Sequence, residues 1–246
     1  MRTIEEQSRH RAGGAWIMAQ GWRDLLFMSW PVPPARIQSL LPRGLEADTF
    51  DGSAWVSIVL LRMTDLHLRW LPPIPGTSDF PEINLRTYVR HGSDAGVVFL
   101  SIDAPSWLGC FVARRFFHLP YFQAKMKFAR TGDAFRMVSD RRASGSGPAA
   151  AFTGSYAPAG AASPPAAGTI EHFLLERFAS YAAAPGGELY FGALQHSGWV
   201  VQEATAEVER NSLLTAAGLP PASDVLLRYS TGTDTRISPV RRIRAG

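Results

Sequence analysis

The segment EINLRTYVR, residues 82–90, alternates between polar and apolar side chains. This period of two predicts a β-strand, because successive side chains of a strand point to opposite faces of the sheet. One face carries Ile83, Leu85, Thr87 and Val89, and the other carries Glu82, Asn84, Arg86 and Tyr88. A face with a carboxylate, an amide and a guanidinium is typical of a strand that lines a binding cavity. It is equally typical of a strand that faces solvent, and the alternation leaves both interpretations open.

On either side of this strand, prolines and glycines separate short apolar runs, which favours strands joined by turns. Further strands are predicted at residues 15–30, within 48–63, and at 96–104, 187–196, 199–209, 224–231 and 235–243. Helices are predicted at residues 33–41, 106–117 and 170–182, the last with Thr169 as its N-cap, and a short one is capped by Asn211.

The segment at residues 143–168 is rich in proline, glycine and alanine. It is either a linker between domains or, as we favour, two loops around a short strand at residues 151–157. With that interpretation, the whole chain, residues 1–246, is predicted to form a single mainly β (α+β) domain.

Composition excludes several classes of protein. The formal net charge is +4, and the dense basic cluster at Arg241, Arg242 and Arg244 is interpreted as a solvated tail, so nucleic acid is not expected as a partner. One cysteine, Cys110, excludes an internal disulfide and predicts a reducing compartment. With no secretory signal and no membrane-spanning apolar stretch in the sequence, we expect a cytoplasmic protein without a membrane partner.

Common cofactor and metal motifs are missing from the sequence. It contains no GxGxxG, GxxxxGK[ST], HExxH or GxSxG motif, and its six histidines are widely separated. We therefore expect neither a cofactor nor a metal.

The segment HLPYFQAKMK, residues 118–127, places two lysines after an aromatic pair. Lysine near aromatic residues and other cations can be an imine-forming catalyst, or it can lie on a solvated strand face. The alternation puts Tyr121, Gln123, Lys125 and Lys127 on one face of a predicted strand. Solvated lysines on this strand face are the favoured interpretation.

Several segments together resemble a known family. They are FMSWPVPPARIQSLLPRGLEADTFDGSAWVSIVLLRM (27–63), PEINLRTYV (81–89), GVVFLSIDA (96–104) and ARRFFHLPYFQAKM (113–126). In this order they are similar to acetoacetate-decarboxylase-like proteins, and most similar to the YqjF-like bacterial family of unknown function. The resemblance implies a β-cone or barrel with a few peripheral helices, around a cavity for a small organic acid.

The resemblance also assigns residues to this cavity. Arg23 matches the arginine that holds a substrate carboxylate, although it is also explicable as a surface arginine beside Asp24. Glu82 matches the cavity glutamate, and Asn84 and Arg86 share its strand face. Together with Tyr121, these four residues are the predicted ligand-binding residues.

The resemblance fails at the nucleophile. Where the decarboxylase has a lysine pair after a proline, this sequence has Tyr121 and Phe122 after Pro120, and neither side chain can form an imine. Tyr121 is then either a hydrogen-bond donor and general acid or a core tyrosine. His118 is either a titratable neighbour or structural. Tyr121, Glu82 and His118 are the candidate catalytic residues, and none of them is assured.

Three functions are compatible with these residues. The favoured one is binding of a small organic, carboxylate-bearing or aromatic ligand by a protein that lacks the Schiff-base lysine and is not a true acetoacetate decarboxylase. The second is an enzyme with imine-free chemistry, of lyase or hydrolase type, on a small organic acid. The third is a structural protein whose cavity is filled. A homo-oligomer is compatible with all three.

Overall fold

Two long antiparallel strands, β1 (Met18–Val32) and β4 (Ser53–Leu68), form the centre of the fold. The computed structural model describes residues 16–74, 78–145, 147–220 and 224–244. In these residues the other strands are β2 (Glu46–Ala47), β3 (Thr49–Phe50), β5 (Phe80–His91), β6 (Asp94–Ala104), β7 (Tyr121–Gln123), β8 (Lys125–Thr131), β9 (Ala134–Arg141), β10 (Ala150–Ser163), β11 (Ala179–Ala183), β12 (Leu189–His196), β13 (Val201–Asn211), β14 (Leu226–Ile237) and β15 (Arg241–Ile243). The helices are α1 (Pro34–Gln38), α2 (Trp107–Phe117), α3 (Ile170–Leu175) and α4 (Leu213–Ala216).

Seven of the strands close into a ring. They pair in the order β12, β11, β6, β5, β4, β1 and β14, and β12 pairs again with β14 through Leu194–Ile237 and two neighbouring residue pairs. The strands β13, β10, β9 and β8 continue the sheet beyond β14. The predicted mainly β fold with a few helices is confirmed.

The extension of the sheet packs against the outside of the ring. Ile83 and Leu85 of β5 lie in one buried cluster with Phe135 of β9 and Phe152 of β10. Because side chains alternate along β5, Glu82, Asn84 and Arg86 face the inside of the ring. This cluster therefore lies on one face of β5, and the opposite face contributes Tyr88 to a second buried cluster and is otherwise available to a cavity.

Helix α2 begins where the alternating pattern of β6 ends. Ser106 is its N-cap, and the Ser106 side chain accepts a hydrogen bond from the Gly109 backbone at 3.1 Å. The helix ends at Phe117, and its C-cap residue, His118, has a left-handed backbone (φ 55°). This helix connects β6 to β7 and brings Tyr121 back beside Ile102.

Several predicted elements differ from the structure. The helix predicted at 170–182 is capped by Thr169 as expected, but it ends at Leu175 and is followed by β11. Pairing of Ser180 with Gly192 on the following strand and with Val97 on the distant strand β6 overrides the helical pattern. The strand predicted at 151–157 extends over 150–163, and the two strands predicted between 224 and 243 are one long strand followed by a short one.

Among the residues that the structure describes, no helix is long and apolar enough to cross a membrane. No group of three or more His, Cys, Asp or Glu side chains among them is arranged to hold a metal ion.

Candidate functional site

A cavity of about 480 Å³ lies inside the ring of strands. Its walls come from β1, β4, β5, β6 and β12, and α2 covers one side. Most of the lining side chains are apolar, among them Leu25, Phe27, Val59, Leu61, Met63, Phe80, Phe99, Ile102, Leu194 and Trp199. This combination of a concave apolar wall and a few polar groups is typical of small-molecule sites.

The polar groups form a strip along one strand. Glu82, Asn84 and Arg86 all line the cavity, and all three are buried. The alternation of β5 therefore directs its polar face into the ring rather than to solvent.

Glu82 is held by two hydrogen bonds. The Tyr121 hydroxyl donates to its Oε2 at 2.8 Å, and the Asn84 amide donates to its Oε1 at 3.3 Å. Burial raises the pKa of Glu82 to about 7, and the two hydrogen bonds oppose that rise. This carboxyl group therefore exchanges a proton near neutral pH while it faces a cavity.

Tyr121 keeps its proton under the same conditions. Burial raises the pKa of its hydroxyl well above the ordinary value, and the neighbouring charge of Glu82 raises it further. Its backbone is held in place as well, because Arg114 of α2 donates to the Tyr121 carbonyl at 2.7 Å. Tyr121 is thus a fixed hydrogen-bond donor to Glu82.

Arg86 lies at the other end of the strip. One guanidinium nitrogen donates to the Leu174 carbonyl at 3.2 Å, and the group lies 5.6 Å from the centre of the Phe27 ring. Its Nε is buried without a hydrogen-bond partner, and so are Oδ1 of Asn84 and Nε1 of Trp199. Among the residues that the structure describes, no carboxylate pairs with Arg86. The cavity wall therefore contains a buried cation with an unused donor.

Sequence and structure comparisons identify relatives of this chain. The model of the DUF2071 family, described as an uncharacterized conserved protein family, matches residues 19–234. The chain belongs to the DUF2071 family. It is 40% identical over 230 residues to the uncharacterized protein YqjF of Bacillus subtilis, and the match covers 93% of each chain. The resemblance to YqjF-like proteins is thereby confirmed.

Solved structures with a similar fold are acetoacetate-decarboxylase-like. An acetoacetate decarboxylase-like enzyme from Sphingomonas wittichii RW1 matches with a TM-score of 0.66 and 16% identity over 94% of both chains. The acetoacetate decarboxylase of Legionella pneumophila matches with a TM-score of 0.64 and 15% identity, over 94% of this chain and 88% of the other. The enduracididine biosynthesis enzyme MppR, complexed with the condensation product of pyruvate and imidazole 4-carboxaldehyde, has a TM-score of 0.66 and 10% identity over 94% and 91%. These likenesses establish the fold of this DUF2071 member.

The structure does not bring Arg23 to the cavity. Its guanidinium donates to the carbonyls of Trp22 and Thr233, at 3.0 and 2.9 Å, and pairs with the Asp234 side chain. A β-bulge follows Arg23, with Asp24 in a left-handed conformation (φ 54°). Because a bulge shifts the alternation of side chains, Trp22 and Leu25 line the cavity, whereas Arg23 does not.

His118 is also outside the cavity lining. Its ring packs on Tyr190 with 4.1 Å between ring centres, and Tyr190 is the residue that lines the cavity. The structure thus brings four of the predicted residues together, namely Glu82, Asn84, Arg86 and Tyr121, and leaves Arg23 and His118 apart from them.

Both lysines of the chain lie on β8. The sequence contains only Lys125 and Lys127, and both side chains are exposed, as expected. The predicted continuous strand is nevertheless wrong, because it breaks at Ala124 into β7, which pairs with β6, and β8, which pairs with β9. The break is the reason why Tyr121 faces the cavity while the lysines face solvent.

Sequence reasoning missed several polar contributions to the wall, among them Gln20 and Cys110. Gln20 lines the cavity from β1, where Met18, Gln20 and Trp22 share a face at a spacing of two. That alternation was available in the sequence. Cys110 lines it from α2, and burial raises the pKa of its thiol to about 11. A helix that covers the ring gives no comparable signal in a single sequence.

Proposed function

We propose that this protein binds a small organic carboxylate in the cavity, and that it does not act as a Schiff-base decarboxylase. The observation that carries the proposal is the buried Arg86, whose Nε has no partner and whose guanidinium is not paired with any described carboxylate. A carboxylate in the cavity would supply the counter-charge that this guanidinium lacks.

The energetics support an anionic ligand. A buried polar donor without a partner costs roughly 1–3 kcal/mol, and a charged one costs more. An arginine and a carboxylate form short, charge-assisted hydrogen bonds, often two in parallel. Binding therefore converts an unfavourable group into a strong contact, and the apolar wall around it excludes competing water.

The position of the lysines argues against imine chemistry. A Schiff base requires an amine beside the bound carbonyl group. The two lysines of this chain are exposed on β8, and neither lines the cavity. Tyr121, which the sequence resemblance matches to the position of the decarboxylase nucleophile, offers a hydroxyl and no amine.

The fold relatives support an organic acid as ligand, and no more than that. Two of the MppR structures contain pyruvate or a condensation product of pyruvate and imidazole 4-carboxaldehyde, and a third contains HEPES buffer. At identities of 10–16%, the activity of such relatives does not transfer to this chain. The single cysteine, Cys110, is consistent with a cytoplasmic location, which is part of the same proposal.

A second candidate function is an enzyme with imine-free chemistry on a small organic acid, of lyase or hydrolase type. The observation in its favour is the Glu82–Tyr121 hydrogen bond of 2.8 Å in the cavity wall. A carboxyl group with a pKa of about 7 can take a proton from a ligand and return it at neutral pH.

Ligand binding can be tested with pyruvate and acetoacetate as probes in isothermal titration calorimetry. We expect Arg86→Met to weaken binding of either acid at least tenfold. Arg23→Met is the matched control, because it removes an arginine of the same size outside the cavity, and it should change affinity less than twofold. Equal loss in both variants, or no loss in Arg86→Met, contradicts the proposal. An NMR time course with the same acids decides between binding and turnover.

A further inference from the structure

The cavity opens to solvent between two apolar segments. Leu68, Leu71 and Ile74, at the end of β4 and after it, line the cavity and are also exposed. Leu108 and Val112 of α2 also line the cavity and are exposed. Residues that both line a cavity and contact solvent mark its mouth, and most of them here are apolar, with Ser106 as a polar exception.

The polar strip extends inward from this mouth. Strand β5 begins at Phe80, a few residues after Ile74, and Glu82 is the first polar residue of the strip. Arg86 is four residues further, which corresponds to roughly 13 Å along a strand. Its guanidinium lies over the Phe27 ring and donates a hydrogen bond to the Leu174 carbonyl, and both Phe27 and Leu174 are buried. The cation therefore lies at the inner end, away from the mouth.

The cavity is large compared with a short keto acid. At about 30 Å³ for each water-sized group, its volume of about 480 Å³ corresponds to roughly sixteen such groups. Pyruvate or acetoacetate fills less than half of this space. A ligand that fills it needs a substantial apolar part, because the walls between Arg86 and the mouth are lined by groups such as Phe99, Ile102 and Leu61.

We infer that the ligand is an apolar monocarboxylic acid of medium chain length, bound with its carboxylate on Arg86 and its hydrocarbon chain directed toward the mouth between Leu71 and Leu108. This inference rests on the proposed carboxylate binding and specifies its ligand class. The Glu82–Tyr121 pair then lies beside the hydrocarbon chain of the ligand. A protonated Glu82 presents no charge to that hydrocarbon.

The test is calorimetric titration with acetate, butanoate, hexanoate, octanoate and decanoate, with decanol as the uncharged probe. Each added methylene is expected to tighten binding about threefold to fourfold. Arg86→Met should weaken all the acids by a similar factor of at least ten and leave decanol unchanged. Leu108→Asp, at an exposed position, should weaken decanoate several-fold and leave butanoate unchanged.

Each outcome distinguishes the two proposals. If acetate and pyruvate bind as tightly as decanoate, the inference on chain length is overturned and carboxylate binding stands. If none of the acids binds, both are overturned. If Leu108→Asp weakens butanoate and decanoate equally, the orientation is overturned. Should Arg86→Met not fold, Arg86→Lys keeps the cation but loses the planar fork, and it is expected to weaken every acid by a similar factor.

Discussion

The Tyr121 hydroxyl donates a 2.8 Å hydrogen bond to Oε2 of Glu82 across the cavity wall, from β7 to β5. One partner follows Pro120, at the position where related decarboxylases are expected to have lysine, and the other belongs to the polar face of β5. Their contact couples the tyrosine that was predicted in place of a lysine to a carboxyl group whose proton exchanges near neutral pH.

The first prediction concerns the pKa of Glu82. Its value of about 7 results from burial, which raises it, and from the hydrogen bonds of Tyr121 and Asn84, which lower it. Tyr121→Phe removes the stronger of the two donors and should therefore raise the pKa further. Carbon-detected NMR titration of the Glu82 carboxyl measures this directly. Tyr190→Phe, which removes another cavity hydroxyl, should leave the value unchanged, and a lower pKa in Tyr121→Phe is incompatible with the structure.

The second prediction concerns stability as a function of pH. The pKa of Glu82 is about 7 in the folded protein and 4.5 as the ordinary value, so the folded state holds an extra proton between these limits. The contribution of Glu82 to the free energy of unfolding is therefore fully present below pH 4.5 and is lost as the pH rises through 7. The loss amounts to about 3 kcal/mol. Glu82→Gln should lack this loss, and urea unfolding of both proteins at several pH values measures the difference. Parallel pH profiles contradict the prediction.

The polar strip and Arg23 show which parts of the site a sequence can predict. The strip on β5 was predictable because its alternation is regular. The resemblance to acetoacetate-decarboxylase-like proteins favoured the cavity over solvent for its polar face. Arg23 was misplaced because a bulge with Asp24 at φ 54° changes the alternation within two residues. A left-handed aspartate in a strand leaves no reliable mark in one sequence.

Helix α3 and strand β11 show the corresponding limit for the fold. Thr169 was predicted as the N-cap, and its side chain does accept a hydrogen bond from His172. The helical pattern then continues to Ala182, whereas the helix ends at Leu175. The residues after it form a strand because β11 pairs antiparallel with the following strand β12 and parallel with β6, which lies about 80 residues earlier in the sequence. Such nonlocal pairing is not visible in local periodicity.

The third prediction is that no imine forms in the cavity. Borohydride reduction in the presence of acetoacetate or pyruvate should leave the intact mass of the protein unchanged at stoichiometric level, because neither Lys125 nor Lys127 lines the cavity. Peptide mapping separates any low labelling of the N-terminal amine from labelling of lysine. A stoichiometric adduct on Lys125 or Lys127, abolished in the corresponding Lys→Arg variant, would refute the structural assignment.

The last prediction concerns a buried ion pair behind the cavity wall. Arg141 of β9 donates to Asp103 of β6 at 2.9 Å, and both side chains are almost fully buried. Burial raises the pKa of Asp103, and Arg141 opposes this rise.

Removing one partner leaves an uncompensated buried charge, so Arg141→Met should cost about 3–5 kcal/mol of unfolding free energy. Arg136→Met is the control on the same strand as Arg141: it removes an exposed ion pair with Glu209 of β13 and should cost much less unfolding free energy than Arg141→Met. Denaturant unfolding of both variants measures these values. Equal losses in the two variants would mean that the Asp103–Arg141 pair is hydrated rather than buried between β6 and β9.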